Sequence, residues 1–528
     1  MIRGAVVIGA AGIMVKIIGV FFRIPLTNWI GELGMSYYQV AYTIYSALLI
    51  MATAGFPIAL SRMISENVAM GRNRNAYRIF RVFLILMGVV GTLLFLLCYF
   101  GADAISAFVG NPLAASAVKS IAPAILILSL LSAYRGYFQG RQNMNPTALT
   151  QILEQLIRVI VGLTLTGILI KGGLERAAAG AAFGATAGAT AALVFIAFIF
   201  ILHKKSINKR ITLGDQSCDD VTAIIRKILI LAIPIIIGAE VIPIMNGLDL
   251  VMVTRRLQAT GWSEAEAQSL YAVLSAFCSS LVGIPHVFIQ SIAISIVPAI
   301  ASATARNSVN EVRENVSLGY KLMMLISAPC AFGMLFLARP ILYLMYPMRI
   351  EGAEIAVVPL MILSLSIIFI SIYNTTTGIL QAVNKQWLPA LHLAIGALIK
   401  IPILFVTVGI ESLNIRGACV STVVAFVVAA YLNTRAVEKH TGVKAEIGVL
   451  LKPVLVSVIM GLVAFLCQKG LAHIIGGRVA TVFAVLVGVI IYLVLAVTCR
   501  LVSAQELRML PKGRKINAAI GRFIDWEE

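Results

Sequence analysis

Apolar residues run in stretches of about 18 or more, divided by short clusters rich in Arg, Lys, Asn, Gly and Pro. A helix needs about 20 apolar residues to cross a bilayer, so each stretch predicts one crossing. The first set falls near 5–26, 37–60, 78–100, 118–138, 147–170 and 177–202. A second set follows near 227–253, 270–303, 318–346, 353–382, 387–410 and 414–434, and a final pair near 448–471 and 478–501. The pattern predicts an all-α integral membrane protein of 14 helices.

Composition agrees with the pattern. The 528 residues are 60% hydrophobic and 12% charged, with a mean hydropathy of +0.96, beyond the range of soluble domains. No connection has room for an ectodomain or a tethered enzyme domain. Arg3 precedes the first apolar run, but that run carries Lys16 and Arg23 and no small-residue cleavage site, so it reads as a retained span. The cysteines (Cys98, Cys218, Cys278, Cys330, Cys419, Cys467, Cys499) show no metal-ligand spacing and read as small core hydrophobes.

The charge sum, 42 − 23 = +19, lies mainly in loops. With the N-terminus inside, the cytoplasmic segments hold 28 Lys and Arg, the external ones 10 and the helix interiors 4. The positive-inside rule therefore expects both termini in the cytoplasm. Loops facing an anionic leaflet account for the charge, so anionic membrane lipids are the expected partner and nucleic acid is not.

An internal repeat organises the chain. Gly136 and Gln139, followed by Asn143 and Pro146, are echoed by Gly378 and Gln381, followed by Asn384 and Pro389. Gly and Gln recur at an offset of 242, as do Arg158 and Lys400; Pro57 and Ser61 match Pro298 and Ser302 at 241. Six helices per copy is an even number, so the copies are parallel and are expected to form two lobes around a central cavity. The expected organisation is an N-lobe at 1–203, a basic linker at 204–225, a C-lobe at 226–440, and an extra helix pair with a basic tail at 441–528, the pair lying beside one lobe.

Ionisable residues inside helices are costly in lipid and need a cavity or a partner. Lys16, Arg23, Glu154, Arg158, Glu240 and Lys400 are such residues. Lys16 and Arg23 share a helix face. Glu154 and Arg158, four apart, either pair along their own helix or face the cavity. Three cations against one anion leave the first lobe positive, which suits a phosphate or pyrophosphate headgroup; snorkelling is the alternative for Arg23. Glu240 lies between Pro234 and Pro243, where the helix should bend. Glu240 or Asp249 is the expected partner of Lys400, the alternative for Asp249 being Arg255 or Arg256.

Other features read as structural. Gly180, Gly184 and Gly188 form a small-residue stripe for helix packing. Segments 101–116 and 503–524 look interfacial. The five histidines show no metal spacing; His286 is either a cavity residue or a satisfied core histidine. Asp219 and Asp220 read as a turn or helix start. There is no GxxxxGK[ST], HExxH or GxSxG, and no metal, cofactor or enzymatic activity is expected.

The segments YRGYFQGRQNMNPTALTQILEQLIRV (134–159), GFPIALSRMISE (55–66), IPHVFIQSIAISIVPAIA (284–301) and ELRMLPKGRK (506–515) resemble the polysaccharide transporter branch of the MOP flippase superfamily. The resemblance spans the chain and is nearest to the stage V sporulation protein B and YtgP type, related to MurJ-like lipid II flippases. It implies alternating access and a polyprenyl-pyrophosphate cargo such as lipid II, moved to the outer leaflet for cell-wall synthesis. It further implies a bacterial plasma-membrane location and contact with the cell-wall synthesis machinery, with a monomer favoured. Lys16 matches a basic position of helix 1 in that family, and Arg23 lies one place from a second. The family's basic residues in the middle of helices 2 and 8 have no counterpart, and Lys400 stands where members bind sodium with acids. Competing readings are a MATE-like drug or cation antiporter, which calls for an acid-dominated cavity, and a flippase for teichoic, capsular or exopolysaccharide precursors.

Overall fold

A computed structural model describes residues 2–213 and 217–501, with side chains from residue 9 onward except at 205–213, 287 and 291–295. The expected interfacial tail at 503–524 and part of the basic linker lie outside these residues. The described elements are helices: α1 Ile2–Thr53, α2 Phe56–Ala69, α3 Asn73–Phe100, α4 Ala102–Val109, α5 Ala115–Gly140, α6 Asn145–Leu169, α7 Leu174–Leu213, α8 Val221–Ala259 and α9 Glu264–Ala272. A π-helical turn at Val273–Cys278 leads into α10 Ser279–Ala305, then α11 Val309–Phe336, α12 Ala338–Met345, α13 Ile350–Ala382, α14 Trp387–Val408, α15 Ile415–Thr441, α16 Ile447–Ile475 and α17 Gly477–Thr498. Helices bond their own backbone, which a bilayer core devoid of water demands.

Among the described residues, 13 helices are long and apolar enough to cross a membrane. The first candidate, Gly9–Ala69, has 61 residues. At 1.5 Å per residue it is about 90 Å long, roughly three times the hydrocarbon thickness. It is broken at Gly31, whose φ of 66° and ψ of −169° are not helical. The sequence pattern divides this stretch into two spans, and that division is the whole difference between its 14 and these 13. One other expectation needs correction. The ninth span, expected at 318–346, ends at Phe336, because Pro340 fits only the first turn of a new helix, α12. α8 carries both Pro234 and Pro243 within its length, with Glu240 between them.

The repeat is written into the backbone. The last turn of α5 closes on Gln142, and that of α13 closes on Asn384, both at φ 61°. The next residues complete the same turn: Asn143 N–H donates to Phe138 O (3.0 Å) and Lys385 N–H to Leu380 O (2.8 Å). The counterpart of Asn384 is thus Gln142, not Asn143. Likewise Gly71 (φ 75°) ends α2 and Asn307 (φ 54°) ends α10, 236 residues later. That register puts Ser61 opposite Val297, so the sequence match of Pro57 and Ser61 with Pro298 and Ser302 is not a structural equivalence. The shift from 236 to 242 arises in α13, which has 33 residues against 26 in α5.

Contacts divide the chain into two units: residues through Ser280 together with Ile401–Ala418, and Leu281–Lys400 together with the chain from Cys419. The boundary differs from the repeat boundary, because α8 and α9, which open the second copy, pack in the first unit. In that unit Gly136 and Gly140 bring α5 onto α2; a Cβ at Gly140 would lie 2.8 Å from Ser61 O. In the second unit the core runs through Met323, Tyr320 and Ile367. The extra pair α16–α17 lies beside α11: Tyr492 Oη donates to Leu325 O (2.9 Å), and a Cβ at Gly461 would lie 3.1 Å from Phe332 O.

Candidate functional site

Beyond Gly31, α1 carries tyrosines at i, i+4 and i+7, which fall on one face. Tyr38 and Tyr42 stack with ring centres 5.9 Å apart at 18°, and Tyr45 follows 6.1 Å from Tyr42. Two cations from spans expected to line the cavity meet on this face. The Arg23 guanidinium lies 5.2 Å from the centre of the Tyr42 ring and donates to Ser280 Oγ at 3.3 Å. The Arg158 guanidinium, from α6, lies 5.4 Å from Tyr42 and 5.6 Å from Tyr45. A ring face attracts a cation without occupying its in-plane N–H donors. Arg158 Nη2 is buried and has no hydrogen-bond acceptor among the described residues. Such a donor is expensive unless a ligand supplies the acceptor.

Glu154 does not fill that role. Its Oε2 lies 3.0 Å from Arg135 Nη2, with side-chain exposures of 16% for Arg135 and 18% for Glu154. Arg135 Nε also donates to Thr150 Oγ1 (3.1 Å), and the Thr150 hydroxyl donates back to Pro146 O at 2.8 Å. The pairing of Glu154 with Arg158 along one helix is therefore corrected: the carboxylate turns to α5. Arg135, counted from the sequence among the cytoplasmic loop charges, lies inside α5.

The glycine stripe of α7 fixes the rotation of α6. A Cβ at Gly184 would lie 2.6 Å from Arg158 O, and one at Gly188 would lie 2.3 Å from Glu154 O. Backbone meets backbone at the turns that carry Glu154 and Arg158. Gly162 meets both the Phe22 ring of α1 and Ala181 O of α7, and Gly19 faces Gln155, which seats α1.

The remaining expected site residues are placed as follows. Lys16 is exposed, two turns from Arg23 along α1. Glu240 is half-buried in α8, its Oε1 without a hydrogen-bond partner among the described residues. Asp249 lies in α8, six residues before Arg255. The two arginines after Asp249 turn elsewhere: Arg255 donates to Ala107 O (2.6 Å) and Phe108 O, and Arg256 donates to Phe405 O (3.1 Å) while covering that ring at 4.4 Å. Lys400, only 4% exposed, belongs to the other unit. There, His286 pairs with Asn374 (2.7 Å) and His392 with Asn433 (2.7 Å). The repeat motif builds turns, with Gln139 Nε2 reaching Thr147 Oγ1 at 3.4 Å and Pro146 in the first turn of α6. Asp220 caps α8 by accepting from Thr222 N–H (3.0 Å). Asp219 accepts from Asn75 Nδ2 (2.8 Å) and Arg72 Nη2 (2.9 Å). These bonds, that from Asn75 foremost, hold its carboxyl below the usual aspartate range. No cluster suited to a metal ion occurs among the described residues.

Two guanidinium groups lie on one tyrosine ring with the nearby carboxylate drawn aside, an arrangement whose N–H donors match the acceptors of an anion. The tyrosines, Arg135 and Ser280 were missed from sequence, although the 38/42/45 spacing was a visible signal.

Comparison with known proteins is consistent across the chain. A family model described as polysaccharide biosynthesis protein matches residues 1–304, and the MatE model matches residues 270–406. Stage V sporulation protein B of Bacillus subtilis (strain 168) is 26% identical, over 99% of this chain and 98% of its own. Lipid II flippase MurJ of the same organism is 24% identical, over 93% of this chain and 94% of its own. A solved structure titled lipid II flippase MurJ, inward closed conformation, superposes with a TM-score of 0.70 at 16% identity, covering 94% of this chain and 99% of that one.

Proposed function

The chain belongs to the polysaccharide biosynthesis protein family, in the MOP flippase superfamily, as a stage V sporulation protein B type related to MurJ; on that premise we propose that it flips a lipid-linked glycan precursor of the lipid II kind from the inner to the outer leaflet of a bacterial membrane. It is a multi-pass transporter, not an enzyme. The observation that carries the reading is the pairing of Arg23 and Arg158 over Tyr42 with an unused donor on Arg158. A pyrophosphate offers the acceptors those donors need, while the prenyl tail stays in lipid. Lys16, two turns along α1, adds a point charge on the path of the headgroup.

In this reading both termini face the cytoplasm and two lobes alternate around the headgroup. Glu240 or Asp249 on α8 and Lys400 on α14 are the charges we assign to gating, the fixed ammonium standing where a coupling cation would bind. The MatE match supports an antiporter of drugs or cations as a second reading, but cations outnumber acids around Tyr42.

The test is complementation of a strain depleted of its lipid II flippases, comparing wild type, Lys16→Ala and Arg158→Ala at matched expression, with outer-leaflet lipid II scored directly. Rescue by wild type alone supports export through the cationic site. Equal rescue by all three removes the charge mechanism, and failure of wild type turns the search to other polyprenyl-linked glycans.

A further inference from the structure

Glu154 and Arg158 stand one turn apart on α6, the spacing at which a carboxylate and a guanidinium neutralise one another. In the structure they do not. Arg135 Nη2 holds Glu154 Oε2 at 3.0 Å, and Arg135 is itself positioned by Thr150, which is fully buried and bonded to Pro146 O and Thr147 O. Neither partner can drift by rotation of α6, because Gly184 and Gly188 seat that helix against α7 at the residues concerned. Arg158 is left over the Tyr42 and Tyr45 rings with Nη2 unsatisfied.

We propose that Arg135 is a positioning residue for the anion site: by sequestering Glu154 it leaves the Arg158 donors to a pyrophosphate headgroup. The inference rests on the proposed reading of Arg158 as a headgroup ligand. An Arg–carboxylate pair outside the site acts here by subtraction. Remove Arg135, and the freed carboxylate swings one turn to Arg158, competes with the headgroup and cancels the charge that attracts it.

The experiment measures binding of undecaprenyl pyrophosphate to the purified full chain in detergent micelles. Arg158→Gln tests the underlying reading and is expected to weaken binding at least about tenfold, the loss of one charge-assisted contact. Arg135→Ala is expected to weaken it by a similar factor, and Arg135→Ala combined with Glu154→Gln to return within about threefold of wild type, since no carboxylate is left to compete. Recovery in the double variant separates sequestration from a structural role, because a scaffold damaged by the loss of Arg135 is not repaired by neutralising Glu154. Wild-type binding by Arg135→Ala, or equal weakness of the single and double variants, overturns the inference while leaving the anion site standing. Wild-type binding by Arg158→Gln overturns the site and the inference with it.

Discussion

Arg23 and Arg158 come from helices far apart in sequence, yet their guanidinium carbons lie 5.2 and 5.4 Å from the centre of the same Tyr42 ring. Like charges gather around a ring because its face carries negative quadrupole density, which offsets part of their repulsion. The arrangement orders the two cations before any anion arrives.

Tyr42→Phe is therefore expected to keep most export activity, since the ring face remains. Tyr42→Leu removes the face and should weaken undecaprenyl pyrophosphate binding by about 3- to 30-fold, the range for a desolvated cation–π contact. Binding to the purified variants checks this; equal affinity for the Phe and Leu variants would sink the role of the ring.

The α7 stripe makes a separate claim about stability. Gly188→Ala places a Cβ 2.3 Å from Glu154 O, a backbone atom that cannot step aside, whereas Gly247→Ala in α8 meets nothing within 4 Å. The first substitution should cost about 2 kcal/mol or more through overpacking. The second should be neutral or stabilising by up to about 1 kcal/mol, because Ala favours helix. Thermal unfolding of the detergent-solubilised variants decides, and a Gly188→Ala protein as stable as wild type would contradict the packing.

Much of the fold was legible because apolar length alone sets a crossing and loop charge alone marks its ends. The division near residues 27–36 was visible in the polar residues around Gly31, and the repeat in the echo of Gly136 and Gln139 by Gly378 and Gln381. Register was less legible. Gln142 and Asn384 differ in identity although both adopt φ 61°, because a left-handed helix end selects conformation before residue type. For the site, Arg158 announced itself as a charge in an apolar run, but its surroundings did not. The choice of Glu154 between Arg158 on its own helix and Arg135 on α5 depends on how two helices are rotated, and no spacing along one helix encodes that.

The linker gives a pH prediction. Asp219 is clasped by Asn75 and Arg72, and its carboxyl is held below its usual value. For a depressed carboxyl the stabilisation is complete above the unfolded pKa, about 3.9, and is lost as pH falls through the lower folded value. The clasp should therefore be intact at neutral pH and release only in strong acid; because Asp219 is 40% exposed, the effect on global stability should be small. Maleimide labelling of the adjacent Cys218, with Cys499 replaced, should be slow in wild type at neutral pH and faster in Asp219→Ala. Identical labelling rates would show that the clasp does not hold the linker.

The end of α4 makes the last prediction. A helix leaves its final carbonyls without intrahelical donors, and those of α4 are met by side chains from α8 and α9. Arg255 donates to Ala107 O and Phe108 O, Thr254 to Val109 O, and Gln258 and Gln268 to Gly110 O. Arg255 grips with both Nε and Nη2, a forked geometry that a lysine cannot copy, and its charge opposes the negative end of the α4 dipole. Arg255→Ala should therefore raise amide hydrogen exchange across 103–111 several-fold, equivalent to about 1 kcal/mol of local opening. Arg255→Lys should recover only part of that protection, since it returns the charge without the fork. Full protection in the Lys variant would mean that charge alone holds α4, and unchanged exchange in the Ala variant would mean that the other donors suffice.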